Sequence, residues 1–135
     1  MTPDELRELP LFARVSDAGL ERVAACIGEL DCEPGQVIAL PGDPGSGMFV
    51  ILDGNVKVEA RGAVYDLGPG DFFGELSLLS PGTERVARVR AANRVRCIGL
   101  PRDEALELIE SEPSVALAML RELARRLADA VDGSP

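Results

Sequence analysis

Gly74, Glu75 and Arg85 are the residues whose types and spacing point to chemistry, set within "GDFFGELSLLSPGTERVARVRA", residues 70 to 91. Side chains alternate between faces along a strand, so an extended 85–91 puts Arg85 on one face with Ala87, Val89 and Ala91, and Val86, Arg88 and Arg90 on the other. The first face is apolar, which aims a guanidinium inward. Arginine cannot shed its proton to suit burial, so it needs an anion. Gly74 permits close backbone approach, and Glu75 to Leu79 reads as a short helix whose first N–H groups are unpaired, as donors to phosphate are. One guanidinium and several neutral donors suit the single charge of a phosphodiester. Glu75 would repel a bare phosphate, so the ligand must offer it a hydroxyl. Phosphate and hydroxyl on one small frame describe the ribose phosphate of a nucleotide. The same residues admit a purely structural reading, in which Glu75 and Arg85 pair with each other and "GPGDFFG" merely joins strands.

The elements that must hold these residues are strands between two helical ends. Thr2 caps a first helix with Pro3 at its first position and Glu5 closing a capping box, and the helix stops near Pro10. Ser16 or Asp17 caps a second, whose stripe is Leu20, Val23, Ala24 and Ile27, with Gly28 weakening its end. From Pro34 the runs "VIAL", "MFVIL", "VKVEA", "VYDL", "RVARVRA" and "VRCIGL" alternate with Gly, Pro, Asp and Asn clusters, a pattern that predicts a β-sandwich or barrel. Asp53-Gly54-Asn55 reads as a hairpin turn, "PGDPGSG" at 41–47 as a loop and "GPGD" at 68–71 as a tight turn. After Pro101, Asp103 caps a helix bearing Leu106 and Ile109, and Pro113 permits a kink or a fresh start. Leu117, Leu120, Ala124, Leu127 and Val131 then form a heptad-like seam about two heptads long. That seam fits a helix packed on the barrel, a dimer contact or a movable lid.

Composition narrows the function classes. The 135 residues suit one domain, 1–135, and no apolar run reaches the roughly 20 residues of a membrane helix. "MTPDELRELP" lacks the regions of a signal peptide, so a cytoplasmic protein is expected. Net charge is −9, which repels a phosphate backbone and argues against direct DNA binding. Cys26, Cys32 and Cys97 are odd in number and widely spaced, and read as buried reduced thiols. The chain has no histidine, which removes imidazole-held metals, the usual general base and Ser-His or Cys-His nucleophiles. Neither an enzyme, a metal site nor a cofactor is expected.

"FGELSLLSPGTERVARVRA", residues 73 to 91, resembles the phosphate-binding cassette of the cyclic nucleotide-binding domains, the family of the bacterial catabolite activator and the regulatory subunits of cAMP-dependent protein kinase. "LPLFARVSDAGLERVA" is similar to the family's N-terminal helical segment, "IALPGDPGSGMFVILDGNVKV" to its paired barrel strands and "LPRDEALELI" to the helix leaving the barrel. The resemblance implies a mainly β fold: an eight-stranded jelly-roll barrel over 34–100, with N-terminal helices over 1–30 and C-terminal lid or dimer helices over 101–131. It puts the phosphate arginine at Arg85, the ribose-binding glutamate at Glu75 and backbone donors at Gly74, Leu76 or Ser77, and Val86, with Phe73 opening the cassette. Val86 departs from the pattern, since members often have Ala, Ser or Thr there. A hydroxyl at that position would hold the guanine amino group of cGMP, so its absence favours cAMP as ligand.

The resemblance further implies a sensor whose ligand draws the cassette and the C-terminal helices together. No aromatic residue follows Tyr65 except Phe72 and Phe73, so the aromatic cap that some relatives stack on the base is not expected, and a leucine, methionine or alanine is left to cover adenine. The chain carries no helix-turn-helix, which leaves a stand-alone sensor with a protein partner or the regulatory piece of a longer protein. The alternative function is an interaction or dimerisation domain with a vestigial cassette that binds no nucleotide.

Overall fold

The capping box forms as read: in the computed structural model, which describes residues 1–39, 47–60, 63–80 and 87–132, Glu5 N donates to Thr2 Oγ1 at 3.2 Å and Thr2 N to Glu5 Oε1 at 3.0 Å. Helix α1 is Pro3–Arg7, and a 3-10 turn follows at Pro10–Phe12. Helix α2 is Asp17–Cys26, with Ser16 Oγ accepting from Gly19 N at 3.1 Å. Internal contacts divide the chain into two compact units, Met1–Ala24 with Glu107–Pro135, and Ala25–Leu106.

The first unit buries Leu6, Leu11, Phe12, Val15, Leu20 and Val23 from its N-terminal half and Leu108, Val115 and Met119 from its C-terminal half. Helix α4 is Arg102–Ser111 and α5 is Pro113–Asp132, so Pro113 opens a new helix, while Asp103 lies in the first turn of α4 instead of capping it. Glu112, between the two helices, accepts from Ser16 N at 2.9 Å and Ser16 Oγ at 2.5 Å. Those two bonds hold its carboxyl below the usual carboxylate range. Arg22 adds an ion pair with Glu107 at 3.0 Å. The heptad-like seam is not the face that α5 buries: Leu117, Leu120, Leu127 and Val131 are 45–67% exposed, Ala124 is exposed, and Val115 and Met119 are covered instead.

The second unit holds eight strands: β1 Gly28–Cys32, β2 Val37–Ala39, β3 Gly47–Asp53, β4 Val56–Ala60, β5 Ala63–Leu67, β6 Phe72–Phe73, β7 Arg88–Ala91 and β8 Val95–Pro101. They make two four-stranded antiparallel sheets, ordered β1-β8-β3-β6 and β2-β7-β4-β5, which is a jelly roll. Gly28 therefore starts a strand where the sequence suggested a weakened helix end, and that edge strand exists because β8 pairs with it from Gly28↔Gly99 to Cys32↔Val95.

One turn assignment is overturned. Asp53-Gly54-Asn55 does not close a hairpin, because β3 pairs with β6 and β8 while β4 pairs with β5 and β7. It is a corner that carries the chain from one sheet to the other. Gly54 has φ +87°, and a Cβ there would collide with the Arg94 carbonyl. Asn55 N donates to Asn93 Oδ1 at 2.8 Å, and Ala92 N to Asn55 O at 2.9 Å, so the corner is tied to the β7–β8 connection.

Cys32, Ile51, Phe73, Val95 and Cys97 from the first sheet pack with Val56, Val58, Leu67, Val89 and Ala91 from the second to form the barrel core. The outward residues Met48, Val50, Ile98 and Leu100 of β3 and β8 are buried as well, which is why both strands read as unbroken apolar runs. The second sheet is solvated outside, where Lys57 pairs with Asp66 at 2.7 Å and Arg90 with Glu59 at 3.1 Å. Cys32 and Cys97 are buried free thiols and Cys26 is half-buried. Burial pushes the Cys97 thiol up to about 12, with the neighbouring Cys32 adding to the effect.

Candidate functional site

The predicted "GPGD" turn launches the candidate site. Asp71 N donates to Gly68 O at 3.0 Å and Gly68 N to Asp71 Oδ2 at 2.9 Å, with Gly70 at φ +89°. Ile51 N then donates to Asp71 O at 2.9 Å and Gly70 N to Ile51 O at 2.8 Å, which fastens the turn to the middle of β3. Strand β6 leaves it in register with β3, Phe73 opposite Phe49, and their rings stack with centroids 5.0 Å apart and planes 15° apart.

Gly74 follows at φ +91°, a left-handed conformation that a side chain would strain. Glu75 begins helix α3, Glu75–Leu79, and is only 6% exposed, making it the one buried charged residue among those described. Carboxylates survive such burial only with polar partners. Leu76 and Ser77 lie within α3, Leu78 is buried and Leu79 is exposed. At five residues α3 has too little length for a useful macrodipole, so what it offers an anion is individual backbone N–H groups.

Arg85 and Val86 lie outside the described residues, as does most of the 41–47 loop. The strand that follows them keeps the expected alternation: Val89 and Ala91 are buried, Arg88 is exposed and Arg90 pairs outside with Glu59. The predicted parity of "RVARVRA" is thus observed from Arg88 on.

The Gly54 corner defines one end of the barrel, at Val56, Ala91, Leu67 and Val95. From there the paired strands lead to the opposite end through Val58, Val89 and Tyr65 on one sheet and through Ile51 to Phe49 and Phe73 on the other. Phe73, Gly74 and Glu75 therefore stand at the end that holds Tyr65 and Ala87. Tyr65 pairs with Val58 and so belongs to the inner face, yet is 42% exposed. The sequence reading passed over Tyr65 and Phe49 as site residues. The available signal was the alternation of "AVYDL", which puts Tyr65 on the face of Leu67, a core residue.

The arrangement combines apolar residues at the barrel end, a buried carboxylate and a left-handed glycine with backbone donors beside it. That set can take a small polar ring carrying hydroxyl and anionic groups. The family model for a cyclic nucleotide-binding domain matches residues 29–112. A cyclic nucleotide-gated potassium channel from Mesorhizobium japonicum is 36% identical over 108 residues, 80% of this chain and 30% of the channel. A CRP-like cAMP-activated global transcriptional regulator from Mycobacterium tuberculosis is 29% identical over 123 residues, 87% of this chain and 54% of the regulator. The crystal structure of the Thermus thermophilus catabolite activator protein superposes with a TM-score of 0.73 at 31% identity, covering 90% of this chain and 59% of that one. The chain thus spans about half or less of the length of the two curated relatives.

Proposed function

Because the chain belongs to the cyclic nucleotide-binding domain family, we propose that it is a regulatory module that senses a cyclic nucleotide, cAMP ahead of cGMP, and answers by repositioning its C-terminal helices. Arg85 meets the cyclic phosphate with its guanidinium fork, and Glu75 accepts a ribose hydroxyl. Backbone N–H groups at Gly74, Leu76 or Ser77, and Val86 complete the anion's contacts, with Phe73 packed behind them. Val86 offers no hydroxyl to a guanine amino group, which is the basis for preferring cAMP.

The observation that carries this reading is the family match across the cassette together with a buried carboxylate at Glu75, 6% exposed, at the barrel end where Phe49, Phe73 and Ala87 stand among the described residues. The printed descriptions of two relatives, one cAMP-activated and one cyclic nucleotide-gated, support it. Both are longer proteins, so the effector is proposed to be a fused segment or a separate protein partner. The module itself performs no catalysis and contacts no DNA, and it acts in the cytoplasm. No helix among the described residues is long and apolar enough to cross a membrane. Ligand moves the C-terminal helices only in so far as it binds one arrangement more tightly; a hundredfold preference corresponds to about 2.7 kcal/mol of bias.

Isothermal titration calorimetry with cAMP and cGMP tests the proposal. Wild type should bind both, cAMP more tightly, and Arg85→Ala should bind neither while unfolding at an unchanged denaturant midpoint. A folded wild type that gives no heat at millimolar ligand defeats the sensor reading. That outcome would favour a dimerisation domain with a vestigial cassette, a second reading supported by the exposed Leu117, Leu120, Leu127 and Val131 on α5. Light scattering with and without ligand distinguishes a homodimer through that seam from a monomer.

A further inference from the structure

Strand β6 is two residues long, Phe72–Phe73, and it is the end strand of its sheet, paired with β3. A strand's register is pinned by the difference between its two faces, since a slip of one residue exchanges them. Here both residues are phenylalanine, and both are buried. A slip would put one phenylalanine where the other stands, so the apolar pattern does little to forbid it. The same slip would carry Glu75 about 3.3 Å along the barrel, which is enough to break a hydrogen bond made there.

The turn before β6 supplies what the strand lacks. Asp71 and Gly68 are bonded twice, Asp71 N donating to Gly68 O at 3.0 Å and Gly68 N to Asp71 Oδ2 at 2.9 Å. Ile51 N donates to Asp71 O at 2.9 Å and Gly70 N to Ile51 O at 2.8 Å, so the closed turn is clamped to one residue of β3. Of these four bonds, the one to Oδ2 is made by a side chain. From this clamp Phe73 falls opposite Phe49, their rings stack, and Glu75 follows two residues later.

We infer that Asp71 is a positioning residue for the ligand: its carboxylate fixes the register of β6 on β3 and, through it, the place at which Glu75 meets the ribose hydroxyl. This inference rests on the cyclic-nucleotide reading above. Asp71 acts as a hydrogen-bond acceptor four residues upstream of the contact it governs, so an amide oxygen at the same place serves equally well.

A 3′,5′-cyclic nucleotide has one free ribose hydroxyl, so 2′-deoxy-cAMP removes the contact given to Glu75 and reports whether Asp71 works through it. By calorimetry Asp71→Ala should weaken cAMP binding about 5-fold and leave the binding of 2′-deoxy-cAMP unchanged, the non-additivity of groups that act as one. Asp71→Asn should restore the affinity for cAMP. Equal losses for both ligands, no loss for either, or an Asp71→Asn variant as weak as Asp71→Ala overturns the inference and leaves the sensor reading standing. If wild type binds no cyclic nucleotide, both fall. Should Asp71→Ala fail to fold, Asp71→Glu takes its place: it keeps the charge, displaces the acceptor by one methylene, and should weaken cAMP while sparing 2′-deoxy-cAMP.

Discussion

The two ends of the barrel use their residues in opposite ways. At the Gly54 corner, Val56, Ala91 and Val95 are fully buried, and the backbone is knotted by Asn55, Ala92 and Asn93. At the other end Phe49 and Ala87 are half-buried, Tyr65 is wet and a carboxylate is sunk into the fold. The corner end buries its apolar side chains and ties the Gly54 turn to the β7–β8 connection by hydrogen bonds, which is what stability requires. The far end gives up burial and keeps a charge in a poorly hydrated place, which costs stability and is retained where a ligand is to be held. On the proposed function, one barrel separates the task of staying folded from the task of binding along a single axis.

The largest expected effect that tests this division is Ile51→Ala, midway along β3 and fully buried. It should lower the unfolding free energy by about 2–5 kcal/mol in urea titrations, with cyclic-nucleotide affinity of the folded fraction unchanged. A matching loss of affinity would show that the ends are not separable. Next comes Glu75→Ala, which should weaken cAMP binding by about 1–3 kcal/mol, the scale of a charge-assisted hydrogen bond, in calorimetry. Unchanged affinity would remove the ribose contact and leave the carboxylate as a structural group. The effect that is smallest at neutral pH concerns the thiols of the core. Cys97 titrates near 12 in the folded chain, above its ordinary 9.0, so the stability linked to it is whole below pH 9 and lost progressively as pH rises toward 12. Cys97→Val should flatten that alkaline decline in denaturation midpoints; a decline of undiminished slope would mean other groups cause it.

Much of this division was readable from residue order. "VKVEA" and "VYDL" alternate because their sheet is solvated on one side, and "MFVIL" and "VRCIGL" do not because theirs is covered on both. Gly74 and Glu75 stood out because a glycine that permits close backbone approach precedes a short helix-like run opening on a carboxylate, and the structure gives α3 those bounds. What escaped was set by distant partners. "GELDC" carries few β-formers and becomes a strand only because β8 pairs with it, and Asp53-Gly54-Asn55 has hairpin chemistry but its strands choose partners in different sheets. Tyr65 escaped for the same reason: its face follows from alternation, but its exposure depends on where β4, β5 and β7 run out.

Of the strand pairs in the two sheets, β4 with β5 is the one between neighbours in the chain; β1 waits for β8, and β2 for β7. A nascent polypeptide leaving the ribosome can therefore close that one hairpin early, while β1 and β3 of the first sheet cannot be joined until Val95–Pro101, which lies between them, has been translated. Loop-closure entropy must be met before those distant pairings reward it, which predicts slow assembly and a growing chain that depends on chaperones for most of its synthesis.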